Sequence, residues 1–420
     1  MQYKHHHMSA TPSANQRLQP GIVKLAGNYR ASFSGLSKET WLLGMIILIN
    51  RSGTMVVPFL SMYITQSLHR GIADAGLVIT LFGIGALLGS AASGYFIDRV
   101  SFRAVQIFTS IAGGLLFLLM GQIGNFTLLC VMTVVLSFVA EAFRPANTAA
   151  VTAYATPATL TRSFTLNRLA TNIGFGMGSA LGGALAAINY HLLFWVEGAV
   201  YIAAGILTYL LLPPVVKKQK EVTATPPAAA AGSPWKDAFL LRFLVPVAAY
   251  TTCFLLLFRL VPVYWKEHLH IPESAIGWLL GLNGILVAVF EMALVKYWEN
   301  RRSDMYYIIS GVIATAAGYL LLIMPGMAPM LMAVGSVVFI TMGEMMALPF
   351  INAVIMRRSA DHNRGKYAAA YALAWSVAQV AGPGGGALIT AQHGYSVLWG
   401  LLIALCLVSA VAFRLLNRPS

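Results

Sequence analysis

The chain has 420 residues, of which 58% are hydrophobic and only 10% charged. A water-soluble domain carries about 25% charged residues, so this composition excludes a soluble globular fold and leaves lipid as the solvent for most of the chain. The formal net charge of +14 would suit nucleic acid in a soluble protein, but the placement of the charges along the chain argues against that partner.

Residues 1–40 form a polar N-terminal tail with no apolar stretch of signal-peptide type, and His5-His6-His7 within it are read as incidental, not as a metal site. Beyond it, uncharged stretches such as Ala104–Ile123, Leu193–Leu212 and Val397–Val411 reach or nearly reach the length that crosses a hydrocarbon core of ~30 Å. Spans are predicted at 41–64, 76–97, 104–123, 127–150, 164–188, 191–212, 239–264, 275–295, 305–324, 328–352, 367–391 and 396–414. Between the sixth and seventh lies a Pro/Ala-rich stretch with the basic run Lys217-Lys218-Gln219-Lys220, the composition of a flexible linker. The expected plan is a tail (1–40), a six-helix bundle (41–212), a linker (213–238), a second six-helix bundle (239–416) and a short tail (417–420). Most of the 28 Lys and Arg residues fall in the tails, the linker and every second loop, while the opposite side keeps Arg70 and Lys266. This asymmetry places both termini in the cytoplasm of a bacterial inner membrane. Cys130, Cys253 and Cys406 sit inside apolar spans without metal-ligand or disulfide spacing.

The two halves match at a nearly constant offset. A shift of 201 puts Leu68-His69 on Leu269-His270, Gly76 on Gly277, Gly83 on Gly284 and Asp98 on Glu299. A shift of 204 puts Pro145 on Pro349, Arg162 on Lys366, Gly178 on Gly382, Gly182 on Gly386 and Trp195 on Trp399. The fold class that follows is an all-α polytopic membrane protein, with 12 transmembrane helices in two six-helix bundles related by a pseudo-two-fold axis. Such a pair of bundles can rock about a site near the midplane. Small residues four apart, Gly174, Gly178, Gly182 and Gly183 in the fifth span and Gly382, Pro383 and Gly386 in the eleventh, permit close helix packing or hinging.

The loop Gly94-Tyr-Phe-Ile-Asp98-Arg99-Val-Ser-Phe-Arg103 resembles the signature of the major facilitator superfamily, G-x-L-a-D-r-x-G-r-R/K, with Ser101 and Phe102 at the usual Gly and Arg positions. The resemblance implies a cytoplasmic gate role for Gly94, Asp98, Arg99 and Arg103. Gly174–Gly183 is similar to the G-x(3)-G-P-x(2)-G-G motif of proton-coupled antiporters, with Ser179 at the proline position. Gly343-Glu344-Met-Met-Ala-Leu-Pro349, followed by Arg364-Gly365-Lys366-Tyr367, resembles drug:proton antiporters of the MdtH-like group. The arginine usual in the fourth span of that group is replaced by the stretch Val131-Met132-Thr133. Asn50-Arg51 before Tyr63, together with Glu344 before Pro349, also resembles the proton-coupled oligopeptide transporters, although Asn50 stands where they carry glutamate.

An ionisable residue at mid-span costs about 2.5–3.5 kcal/mol on insertion scales, so each one needs a structural or functional return. Glu344 and Glu141 lie near the bilayer centre at almost repeat-equivalent positions and are the expected proton-coupling residues, Glu344 first because no basic residue lies one turn away. Arg144, three residues after Glu141, shares its helix face and can pair with it. Arg51, Arg144, Tyr371, Trp375 and Gln379 are expected to line a central cavity and Arg259 to act at an outer gate, while Glu197 and Glu291 are read as interfacial. No nucleotide-binding loop, nucleophile elbow or metal motif points to an enzyme. The function expected is secondary transport by alternating access, as proton-coupled efflux of small amphipathic or cationic compounds. The alternatives are a proton-coupled importer of peptides or other small nutrients and a non-transporting receptor or scaffold. The expected partners are a small-molecule substrate, protons and membrane lipid, with no nucleic acid. The working unit is a monomer, and no cofactor is needed beyond the proton gradient.

Overall fold

The computed structural model describes residues 35–156, 159–214, 234–298, 301–359 and 364–417. Most of the N-terminal tail, the basic and Pro/Ala-rich part of the linker, Glu299 and the last residues of the C-terminal tail lie outside the described residues. The described chain is helical and without strands. The first span is α1 (Lys38–Ser52), a break, then α2 (Val56–Met62) running into a π-helical turn (Tyr63–Ser67). The second and third are α3 (Ile72–Arg99) and α4 (Phe102–Met120); the fourth is split into α5 (Phe126–Glu141) and α6 (Phe143–Tyr154). The fifth and sixth are α7 (Leu160–Ile188) and α8 (His191–Leu211). In the second half, span 7 is split into α9 (Ala238–Leu256) and α10 (Val261–Glu267), followed by α11 (Glu273–Trp298), α12 (Asp304–Leu321), α13 (Pro329–Arg358), α14 (Arg364–His393) and α15 (Tyr395–Leu416).

Ten of these spans among the described residues are long and apolar enough to cross a membrane by length and composition. The other two, α7 and α14, have 29 and 30 residues. At 1.5 Å per residue each is more than long enough; their glycines and amides lower the hydropathy, not the reach. The first half packs α4 on α8, α3 on α5 and α1 on α7, and the second packs α12 on α13 and α15, and α9 on α14 and α15. The halves meet chiefly where α7 lies against α11 and α3 against α14.

The repeat extends to backbone detail. His69 and His270, 201 residues apart, both adopt a left-handed φ of 51° where the chain leaves the first span of each half. The breaks in spans 1 and 7 have a common cause. A proline cannot donate to the carbonyl four residues earlier, and its ring crowds that carbonyl. Pro58 and Pro262 stand 204 residues apart and release the carbonyls of Thr54 and Phe258, inside the two breaks. Pro145 likewise releases Glu141, where α5 ends, whereas its repeat mate Pro349 is absorbed within a continuous α13.

Both glycine stripes pack against these broken spans. A Cβ on Gly174, Gly178 or Gly182 would stand 2.7–2.8 Å from atoms of Arg51, Ser52 or Met55 in span 1. On Gly382 or Gly386 it would stand 2.8–3.0 Å from Thr252 or Leu260 in span 7. Pro383, between them, lies inside α14 without ending it.

Candidate functional site: a cavity between the two bundles

A cavity of about 510 Å³ lies between the halves. Irregular backbone at membrane depth is tolerated only where protein buries it or it lines a cavity, and all three broken spans reach this wall. Thr54 lies in the break of span 1 and Arg51 just before it, Glu141 and Arg144 flank the break of span 4, and Phe258 and Arg259 lie in that of span 7. Glu344 of α13, Gln379 of α14 and Asn283 of α11 complete the second half of the wall.

The face at which α1 and α9 begin and α15 ends is the open one. Arg144 and Arg168, nearer that face, are 62% and 55% exposed, whereas Arg259 and Glu197, nearer the far face, are 8% and 1% exposed. The far face is closed by contacts between the halves. Gln66 Nε2 donates to Glu267 Oε1 at 3.0 Å, Tyr190 Oη to Glu273 Oε1 at 3.1 Å, and Thr80 Oγ1 to the Val380 carbonyl at 3.3 Å. Lys266 holds Glu273 at 2.8 Å. Gly183 and Gly277 touch backbone to backbone, so close that a Cβ on either would come within 2.6 Å of the other's Cα.

Within the wall, Glu141 and Arg144 form the local ion pair, Nη2 to Oε2 at 3.0 Å. Glu344 has no such cation among the described residues; its Oε2 accepts from Asn283 Nδ2 at 2.8 Å, and the same amide donates to Thr341 Oγ1 at 3.0 Å. Arg259 donates from Nη1 to the Val57 carbonyl of the other half at 3.2 Å. It therefore serves the cavity wall and the contact between halves at once.

Two sequence expectations for the wall are corrected. Tyr371 and Trp375 do not line this cavity. They pack edge to face with each other, with centroids 6.3 Å apart, and Trp375 packs on Phe254, one layer behind Phe258. Only Gln379 of that helix face reaches the wall, because α14 turns its aromatic positions toward α9. Glu197 and Glu291 are buried, not interfacial. Glu197 Oε2 accepts from the backbone N–H groups of Met55 at 3.0 Å and Val56 at 2.6 Å, so it caps the restarted helix in span 1. Glu291 pairs with Arg168 of the other half.

Arg168, Glu197 and Asn283 are among the wall residues that sequence reasoning missed. For Arg168 a signal was present: Asn167, Arg168, Thr171 and Asn172 recur at helical spacing, ahead of the glycine- and alanine-rich half of the same span. The loop resembling the family signature lies apart from the cavity. Arg103 donates to the carbonyls of Leu212 at 2.8 Å and Tyr209 at 2.7 Å, capping the end of α8, and Arg99 lies 4.3 Å over the Tyr95 ring. Asp98 is exposed, and a Cβ on Gly94 would meet open space. No cluster of potential metal ligands occurs among the described residues.

The family model described as Major Facilitator Superfamily matches residues 40–383. A Bacillus subtilis (strain 168) protein described as an uncharacterized MFS-type transporter, YttB, is 22% identical over 387 residues, which cover 90% of this chain and 94% of that protein. Among solved structures, a mutant of the nucleoside transporter NupG aligns with a TM-score of 0.78 at 14% identity, over 91% of this chain and 100% of its own. The peptide transporter POT in complex with sulfate aligns at 0.74 and 12% identity, over 91% of this chain and 95% of its own. A bacterial homolog to the human lysosomal transporter Spinster, in an inward-facing and occupied conformation, aligns at 0.72 and 12%, over 90% and 96%. At these identities the solved structures speak for the fold alone. The family match covers most of the chain and agrees with its twelve spans in two bundles, so this chain belongs to the Major Facilitator Superfamily and is a multi-pass membrane transporter of small molecules, not an enzyme.

Proposed function

We propose that the protein is a proton-coupled secondary transporter, a monomer of the bacterial plasma membrane that exports small amphipathic compounds in exchange for protons. With both termini in the cytoplasm, as the positive-inside pattern argues, the structure corresponds to an inward-facing state. The observation that carries the reading is a cavity walled by both bundles, open on one face and closed on the other, with Glu344 at its edge. A carboxyl that meets an amide instead of a cation can exist with or without its proton at small structural cost. The amide flips its role from donor to acceptor as the carboxyl gains its hydrogen. Glu141, held by Arg144, serves as a fixed charge. Phe82, Phe117, Phe175 and Phe258 give the wall the apolar surface that an amphipathic solute needs. The likeness of their loop to the family signature supports Asp98, Arg99 and Arg103 as the latch of the inner face once the bundles rock.

The test uses the purified protein in liposomes with an internal pH dye and an imposed pH gradient. Glu344→Gln is expected to lose proton-driven transport while retaining folding and substrate counterflow; full proton-driven activity in that variant would remove Glu344 from the mechanism. A second reading, proton-coupled uptake of a small polar nutrient, is favoured by the amides Asn147, Asn167, Asn172, Asn283 and Gln379 in the wall. Transport of such a solute inward with protons, and none of amphipathic compounds outward, would replace the first reading.

A further inference from the structure

We propose that Arg51 and Arg259 form a two-sided clamp for an oxyanion, a carboxylate or phosphate carried by the transported solute. The inference rests on the reading that the cavity is the transport site, and it reverses the charge expected for the solute from sequence.

Four guanidinium groups reach the cavity wall: Arg51, Arg144, Arg168 and Arg259. Two are satisfied by carboxylates, Arg144 by Glu141 and Arg168 by Glu291. The other two have no ion pair among the described residues. Arg51 makes no side-chain hydrogen bond there, and Arg259 makes one, to a backbone carbonyl, with its head 5.9 Å from the Phe82 ring centre. The remaining wall carboxyls are engaged elsewhere. Glu197 is taken up by two backbone N–H groups, and Glu344 by Asn283.

An unpaired charge in a low-dielectric interior is costly, and Arg259 is only 8% exposed. A guanidinium fork matches the planar geometry of an oxyanion and can bind it through two parallel hydrogen bonds. An arriving oxyanion therefore supplies what both groups lack. Their positions suit a transport cycle, since Arg51 stands just before the break in span 1 and Arg259 inside the break in span 7. These are repeat-related spans of opposite bundles. An anion between them ties the halves together, and rocking that separates the two arginines releases it. Phe175 and Phe258, with ring centroids 5.4 Å apart, lie in the same wall and supply an apolar seat for the body of the solute.

The experiment measures binding to the full-length protein in detergent, by calorimetry, for three probes that share a ring: phenylacetate, phenyl phosphate and phenethylammonium. At least one anion is expected to bind, and Arg51→Gln and Arg259→Gln are each expected to weaken it about tenfold or more. A response to phenylacetate alone assigns the oxyanion as carboxylate, and one to phenyl phosphate alone assigns it as phosphate. Arg51→Lys and Arg259→Lys keep the charge and protect against misfolding; they are expected to recover part of the affinity, because a point charge replaces the fork. Binding of phenethylammonium only, of no probe, or of an anion with wild-type affinity in both glutamine variants would overturn the clamp. Proton-linked flux of an ammonium compound without anion binding would leave the transport site standing and remove the clamp. Arginine-dependent anion binding with no flux in liposomes would do the reverse.

Discussion

The closed far face depends on helix backbones that touch, and one methyl group tests it. At Gly183 an added Cβ would stand 2.5 Å from the Glu273 carbonyl oxygen and 2.6 Å from Gly277 Cα. Ordinary van der Waals contact begins at 3.4 Å, so α7 and α11 would have to part locally by about 0.9 Å. The obstacles are backbone atoms, which cannot rotate out of the way. Overpacking of this kind costs about 1–3 kcal/mol. If the far face opens elsewhere in the cycle, that cost falls on the present state alone and shifts the balance between states about 5–150-fold. Gly183→Ala is therefore expected to populate a conformation with the far face open. The assay is double electron–electron resonance between nitroxides on cysteines introduced at Gln122 and Gln392, exposed positions at the far ends of the two bundles, with Cys130 replaced. A longer-distance population should appear in Gly183→Ala. Gly385→Ala, where a Cβ meets no atom within 4 Å, should leave the distribution unchanged. Identical distributions in the two variants would refute the idea that backbone contact at Gly183 holds the far face shut.

Two further outcomes follow from buried or capping carboxyls. Glu197→Ala strips the acceptor from two backbone N–H groups inside the bundle and should cost about 1.5–3 kcal/mol, read as a lower melting temperature in detergent; Glu197→Gln keeps an acceptor oxygen and should cost less. Outside the spans, Asp237 caps α9 through the N–H groups of Phe239 and Leu240, both at 3.1 Å, and accepts from Arg358 at 3.0 and 3.1 Å and from the Tyr367 hydroxyl at 3.1 Å. Partial burial opposes its charged form, but the hydrogen bonds from Arg358, Leu240 and Tyr367 outweigh it and hold the carboxyl below the usual aspartate range. Because the folded-state value is depressed, this contribution is present in full above the ordinary value of 3.8 and is lost as pH falls through the lower folded one. Asp237→Ala should cost about 1–2 kcal/mol, and Asp237→Asn, which keeps the cap, less than 1 kcal/mol by order of magnitude; a melting temperature that falls with acid equally in wild type and Asp237→Asn would refute the assignment.

Much of this architecture could be read from the residues in order. Apolar lengths and the placement of Lys and Arg marked twelve spans, and offsets of 201 and 204 marked the repeat. The Glu141–Arg144 pair was legible because both partners lie within one helical turn, and the glycine stripes because small residues four apart make a face. The breaks in spans 1 and 7 were legible too, though only in hindsight, through Pro58 and Pro262 at the repeat offset.

Contacts between distant segments were not legible. Glu197 caps a helix more than a hundred residues away, Glu344 meets Asn283, and Arg168 meets Glu291 in the other half. Tyr371 and Trp375 turned out to stand behind the cavity and not in its wall. The reason is physical. In water, a helix declares its buried face by the contrast between apolar and polar residues. In a membrane, lipid and protein interior are both apolar, so that contrast fades, and the rotation of each helix is set by small-residue packing and by the few polar partners it finds across the bundle. The sequence by itself determined the number, length and pairing of the spans; which side chains face the cavity, and which carboxyl meets which cation, was decided only when the helices packed.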